Sequence, residues 1–174
     1  VVFFFVDNSS IDQALWRSDG TVAGTHVVAD GEQGQRFGCP DVTAAELGGT
    51  LYFGDTDPVR GHALWRSDGT DAGTVPVAVP YPGSRSSSGL AWLTRLDTNL
   101  FFTVEDNTGR RQLWRSDGTE SGTKAVSDKI SSDLRLEPTF LTVVGKTLFF
   151  VLSETSLFQG HELWALRTRR RMPR

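Results

Sequence analysis

The heptapeptide LWRSDGT occupies residues 15–21 and recurs unchanged at residues 64–70 and 113–119. Its tryptophans, together with a fourth at Trp164, are spaced 49, 49 and 50 residues apart. A repeat period of about 20–50 residues indicates a modular fold, in which each unit packs on the next. The heptapeptide therefore divides the chain into units that share one register.

Each unit has the pattern expected of four short strands. A partly apolar segment comes first, as in LAWLTRL at 90–96, and an aromatic run such as TLYFGD at 50–55 follows. A polar loop leads to the tryptophan segment, and a glycine-bearing turn leads to a last segment such as THVVAD at 25–30. Three or four consecutive apolar residues in a strand indicate burial on both faces, because successive side chains point to opposite sides.

Four short strands in a unit of about 40–50 residues are typical of propeller blades. We predict an all-β, β-propeller-like array of four-stranded antiparallel blades, with about three and a half repeats, as part of a larger propeller. A parallel β-solenoid is the alternative. The predicted repeat domain covers residues 1–166, in units 1–49, 50–98, 99–146 and a partial unit 147–166. Because the sequence starts at the second strand of a unit, further blades or domains are expected upstream.

Composition and charge limit the classes of partner that the protein is expected to bind. The 174 residues carry a net charge of −3, which argues against nucleic acid as a ligand because such proteins usually present a strongly basic surface. No apolar run is long enough for a membrane span. A single cysteine, Cys39, allows no internal disulfide and no zinc site. The basic stretch RTRRRMPR at 167–174 is predicted to be a disordered tail, with an anionic docking site as the alternative.

The repeated turn has a structural interpretation. The Asp19 side chain can accept hydrogen bonds from backbone two residues on, Gly20 can adopt positive φ, and the hydroxyls can satisfy loop backbone. Each tryptophan is expected to pack between adjacent blades. The residues assigned to this structural motif are Trp16, Ser18, Asp19, Gly20, Thr21 and Gly24; Trp65, Ser67, Asp68, Gly69, Thr70 and Gly73; Trp114, Ser116, Asp117, Gly118, Thr119 and Gly122; and Trp164.

A functional interpretation of the same turns is calcium binding through Asp19, Asp68 and Asp117. Calcium takes about six to eight oxygen ligands, whereas each loop offers one or two carboxylates. We therefore expect the protein to bind no cofactor, and calcium binding is the alternative. No sequence motif of a serine hydrolase, zinc protease or nucleotide-binding enzyme is present, and no catalytic residue is assigned.

Four residues are candidates for ligand contact. Trp92 departs from the repeat, because its equivalents are Thr43 and Phe140. Arg17, Arg66 and Arg115 each follow a repeated tryptophan and could together present an anion-binding surface; pairing with loop acids is the alternative. The four candidates are Trp92, Arg17, Arg66 and Arg115.

The motif LWRSDGTxxGT resembles the ELWxxDGT repeat family of bacterial secreted or surface proteins. Glu162 matches the family's glutamate, whereas Ala14, Ala63 and Gln112 replace it. The turn is also similar to the Asp-box of sialidase-type propellers. The family resemblance implies a propeller-like fold and an extracellular or cell-surface location, without an established activity.

The favoured function is a non-enzymatic extracellular binding, adhesion or scaffold module, with a protein or glycan ligand. Its motivation is the repeated blade without a catalytic constellation. Two alternatives stay open: a fragment of a propeller-type hydrolase or lyase with its active residues in other blades, and a purely structural spacer of a surface protein.

Overall fold

The structure is a computed structural model and describes residues 1–7, 13–29, 43–57, 60–83, 89–126, 136–154 and 160–167. Cys39 and residues 168–174 of the predicted tail lie outside this part of the chain. No helix in the described ranges has the length and apolar character needed to cross a bilayer. The described strands are β1 (Val2–Asp7), β2 (Gln13–Ser18), β3 (His26–Ala29), β4 (Ala44–Leu47), β5 (Thr50–Asp57), β6 (Gly61–Ser67), β7 (Val75–Ala78), β8 (Leu90–Leu96), β9 (Asn99–Glu105), β10 (Arg111–Ser116), β11 (Lys124–Ala125), β12 (Leu136–Val144), β13 (Thr147–Glu154) and β14 (His161–Arg167).

The strands form four antiparallel sheets. Sheet 1 has the order β1-β2-β3, sheet 2 β4-β5-β6-β7, sheet 3 β8-β9-β10-β11 and sheet 4 β12-β13-β14. The prediction of an all-β protein built from antiparallel sheets is confirmed, and the two middle sheets have the four strands expected of a repeat. Sheets 1 and 4 have three described strands each. Arg167, which the sequence placed in the tail, is the last residue of β14.

One register is kept in all four sheets. The second aromatic residue of each aromatic run is paired directly with the tryptophan of the following strand, and directly paired side chains share a face. The rings are stacked in the first two of these pairs. The ring centroids of Phe4 and Trp16 are 6.3 Å apart, and those of Phe53 and Trp65 are 6.4 Å apart. The four pairs are Phe4–Trp16, Phe53–Trp65, Phe102–Trp114 and Phe150–Trp164.

Consecutive sheets pack face to face and bury three apolar layers. Neighbouring residues of one strand point into different layers: Phe53 packs towards sheet 1, and Tyr52 packs towards sheet 3. In the same way Phe102 contacts the layer shared with sheet 2, and Phe101 contacts the layer shared with sheet 4. The two middle sheets are thus covered on both faces, which explains why their strands carry consecutive apolar residues.

The first strands of sheets 2, 3 and 4 are neighbours in space. Arg95 of β8 donates to Glu46 of β4 through a 2.7 Å contact between Nη1 and Oε2. The backbone N–H of Leu93 donates to Thr43 Oγ1 over 3.0 Å, just ahead of β4. Strand β8 contacts β12 in turn. The sheets therefore meet along the edge that their first strands form.

Candidate functional site

The SDGT turns share one hydrogen-bond pattern in the three repeats. In the second repeat, Asp68 Oδ1 accepts from the backbone N–H of Thr70 at 2.9 Å and from its hydroxyl at 2.7 Å. Thr70 Oγ1 accepts from the N–H of Gly73 at 3.0 Å, and the Thr74 hydroxyl donates to the Thr70 carbonyl at 2.7 Å. The first and third repeats form the same bonds at similar lengths. The motif residues of each turn therefore make these hydrogen bonds with other residues of the same turn.

Two glycines of each turn are required by geometry. Gly69 has φ +92°, in the left-handed region that favours glycine, and its counterparts Gly20 and Gly118 have φ +91° and +90°. A Cβ on Gly73 would overlap the Asp68 carboxylate, and the other two repeats repeat this contact. These positions explain why SDGTxxGT is kept without a change.

Each turn aspartate is held in its charged form. The hydroxyl of Thr70 and then its backbone N–H, both donating to the carboxylate, lower the pKa of Asp68 below its ordinary value of 3.8. The same groups lower the pKa of Asp19 and of Asp117. The three carboxylates lie one in each turn, and the described residues hold no cluster of three acids, histidines or cysteines suited to a metal. Calcium binding at these turns stays the alternative to the prediction that the protein has no cofactor.

The repeated tryptophans differ in how far they are covered. Trp65 is 1% exposed and lies in the layer between sheets 1 and 2. Trp114 packs in the layer between sheets 2 and 3. Trp16 is half-buried, and Trp164 is 38% exposed. Trp65, Trp114 and Trp164 lie on the face that their sheet turns towards the preceding sheet, so the two well-covered ones, Trp65 and Trp114, act as packing groups.

Trp92 and Phe140 form an aromatic pair at equivalent positions of β8 and β12. Each lies in a β-bulge of its strand, with φ +58° for Trp92 and +55° for Phe140. Their ring centroids are 4.8 Å apart, and Phe140 is 60% exposed. Positive φ is unusual for bulky residues, and such strain is held where surrounding structure enforces it. The pair joins two first strands and leaves one ring largely in solvent.

A cleft of about 480 Å³ lies between sheets 3 and 4. Three cationic residues line it, and no acidic residue in the described part of the chain does so. Half of its lining residues are apolar. The lining residues are Asn99, Phe101, Arg115, Lys124, Ala125, Val126, Leu166 and Arg167.

The cleft lies where the fourth repeat departs from the others. Between sheets 1 and 2, the side chain of Arg17 lies against Gly69 of the next turn. Between sheets 2 and 3, the Tyr52 hydroxyl lies against Gly118 of the next turn. In the fourth repeat, Leu166 and Arg167 occupy the positions of the turn's serine and aspartate. The SDGT turn is therefore missing from the place where it would face Arg115.

The third repeat also departs from the first two, and this difference places two positive charges next to each other in the cleft. Arg115 and Lys124 are direct cross-strand partners, on the face that Phe101 turns towards sheet 4. The corresponding partners are His26 for Arg17 and Val75 for Arg66. Two like charges directly opposite each other are destabilising, so this pair is not needed to build the sheet. The sequence singled out Arg115, but it did not reveal Lys124 or Arg167, because their proximity depends on strand pairing and on sheet packing.

Comparisons with known proteins bear little on this site. No family model matches the chain, and no curated protein matches it. Among solved structures, a chain from a structural and mechanistic analysis of two prolyl endopeptidases matches with 12% identity and a TM-score of 0.49, covering 95% of this chain and 24% of that chain. This chain thus spans about a quarter of that protein, and a similarity at this level carries no argument about function.

Proposed function

We propose that this chain is a non-enzymatic binding scaffold of the ELWxxDGT type, built from propeller blades and located outside the cell. We further propose that the cleft between sheets 3 and 4 holds an anionic group of its ligand. The observation that carries the proposal is the cross-strand pair of Arg115 and Lys124 in a cleft without a described acid.

The propeller arrangement is supported by the way in which the sheets meet. Every interface joins the tryptophan side of one sheet to the opposite side of the sheet before it. The first strands β4, β8 and β12 follow one another along a common edge. Sheets that repeat one contact and share one edge fan about an axis next to that edge, as propeller blades do.

The chemistry of the cleft suits an anion. Arg115 supplies a planar guanidinium that can bind a carboxylate or sulfate through two hydrogen bonds, and Lys124 supplies a compact second charge. An anion between them removes their mutual repulsion, so binding relieves a cost that the free protein bears. The cleft volume lies within the range of about 300–1,000 Å³ that is typical of small-molecule sites.

Isothermal titration calorimetry with a sulfated disaccharide tests the proposal, with the same disaccharide lacking sulfate as the uncharged probe. We expect the sulfated probe to bind and to be recovered unchanged, and the uncharged probe not to bind. Two variants, Lys124→Val and Arg115→Gln, should each weaken binding about tenfold or more, because each removes a charged hydrogen-bond donor. Lys124→Val also recreates the arginine–valine pair of the second repeat.

Arg66→Gln is the matched control, since Arg66 is the counterpart of Arg115 and lies outside the cleft. It should bind the sulfated probe as the wild type does. Equal binding of both probes, or equal loss in the control and in Arg115→Gln, would contradict the cleft assignment. Cleavage of the probe would instead favour the hydrolase or lyase alternative.

A further inference from the structure

The charge of the cleft between sheets 3 and 4 differs from that of the first interface between sheets. At the first interface Arg17 lies against Gly69, the residue that follows the turn aspartate Asp68. In the fourth repeat the residue at the position of that aspartate is Arg167, which lines the cleft. A basic residue thus replaces an acidic one at the place where the missing turn would face Arg115.

The cross-strand partner of Arg115 adds a second positive charge to the same face of sheet 3. Phe101 and Lys124 are the two direct partners of Arg115, and Phe101 belongs to the apolar layer between sheets 3 and 4. Directly paired side chains share a face, so Arg115 and Lys124 both lie on the side turned towards sheet 4. The cleft therefore has three cationic residues, which come from two sheets.

Two acidic residues of the third turn are close in sequence to this pair but do not line the cleft. Asp117 interacts electrostatically with Arg115, although its Oδ1 already accepts two hydrogen bonds within its own turn, at 3.0 and 2.6 Å. Glu120 is exposed to solvent. When the charge of Asp117 is set against the three cationic residues of the cleft, two positive charges remain in excess.

We propose that the cleft binds a phosphate monoester in its doubly charged form, in preference to a singly charged sulfate or carboxylate. This inference rests on the proposed function, and it names the class of ligand. A phosphate monoester has a charge of about −1.5 to −2 near pH 7 and three acceptor oxygens. These oxygens suit the planar guanidinium of Arg115 together with the compact charge of Lys124. The half-buried Val126 and Leu166 can contact the group that carries the phosphate.

Isothermal titration calorimetry with phenyl phosphate and phenyl sulfate tests this inference, because the two probes share one ring and differ in charge. At about pH 7.5 we expect phenyl phosphate to bind about tenfold more tightly than phenyl sulfate. At about pH 5 phenyl phosphate is mostly singly charged, since its second pKa is about 6, and the ratio should fall to about twofold. The described residues that line the cleft include no histidine or carboxyl group, and Asp117 has a pKa below 3.8, so the change of charge lies in the probe.

Lys124→Val should reduce the ratio of the two affinities at about pH 7.5 to about twofold or less, because it removes one of the two excess charges. Arg66→Gln is again the matched control: it also removes one positive charge, but outside the cleft, and it should keep the tenfold ratio of about 1.4 kcal/mol. Inorganic phosphate separates free phosphate from an ester. It should bind about fivefold more weakly than phenyl phosphate, since it has no group to contact the apolar lining.

The outcomes separate this inference from the proposed function. Equal affinities for the two phenyl probes, or a ratio that Lys124→Val leaves unchanged, would overturn the preference for a doubly charged group and leave an anion-binding cleft in place. Inorganic phosphate that binds as tightly as phenyl phosphate would overturn the assignment of an ester. If phenyl phosphate does not bind at all, the inference fails, and the sulfated disaccharide then decides whether the proposed function stands.

Discussion

In each SDGT turn, one carboxylate organises a loop of eight residues and lies directly on a glycine. The aspartate accepts two hydrogen bonds from one threonine, and that threonine accepts from the backbone of the glycine. Because the second glycine has no side chain, the carboxylate can lie close to its backbone. The two glycines thus have different roles, one for backbone conformation and the other for space.

Gly69→Ala should lower the free energy of unfolding by about 1–3 kcal/mol, because φ +92° is strained for any residue with a Cβ. Urea denaturation followed by tryptophan fluorescence measures the change. Gly160→Ala is the control: Gly160 lacks positive φ, and a Cβ there would meet nothing within 4 Å. It should change stability by no more than about 0.5 kcal/mol. Equal effects of both substitutions would contradict this account of the turn.

The turns should be sensitive to acid. The folded-state pKa of Asp19, Asp68 and Asp117 lies below 3.8, so their contribution to stability is present above that pH and is lost as the pH falls through the folded-state pKa. The variant with all three aspartates changed to asparagine should therefore lose less melting temperature than the wild type on acidification. Thermal melts by circular dichroism between neutral pH and about pH 2 measure the difference. Parallel curves for the two proteins would contradict the prediction.

At the scale of the element, the repeated tryptophan should contribute different amounts to the free energy of unfolding in different sheets. Trp65→Ala should lower the free energy of unfolding by about 3–5 kcal/mol, because it empties a site in a closed apolar layer. Trp164→Ala should cost about 1 kcal/mol or less, since that ring is already 38% exposed. Urea denaturation of the two variants compares them directly. A larger loss at Trp164 would show that this ring is covered in solution.

The strands themselves were predictable, because alternation and register are local properties of the sequence. Consecutive apolar residues such as Tyr52 and Phe53 could be assigned to two buried faces before any packing was known. The bulges were not predictable: nothing in LAWLTRL shows that Trp92 adopts positive φ, where glycine is usual. The cleft was not predictable either, because Arg115 and Lys124 become neighbours only through pairing within sheet 3, and Arg167 reaches the cleft only through the packing of sheet 4.

For the whole molecule, the two middle sheets should be the most stable part of the structure. Sheets 2 and 3 have apolar layers on both faces, whereas in the described part of the chain sheets 1 and 4 each have such a layer on one face only. Amides of β5, β6, β9 and the adjoining β10 should therefore exchange more slowly than those of β1 and β14. Hydrogen exchange of the amides, followed strand by strand, measures the difference. Uniform protection across the four sheets would contradict it.

The three interfaces between sheets all join the same two kinds of sheet face. A unit could therefore be added to the gene or removed from it without creating a new kind of interface. An in-frame tandem duplication of one 49-residue segment would insert a sheet that meets its neighbours through the surfaces already in use. Excision of a segment would rejoin the same two surfaces. Either change would alter the number of sheets without requiring a new kind of interface.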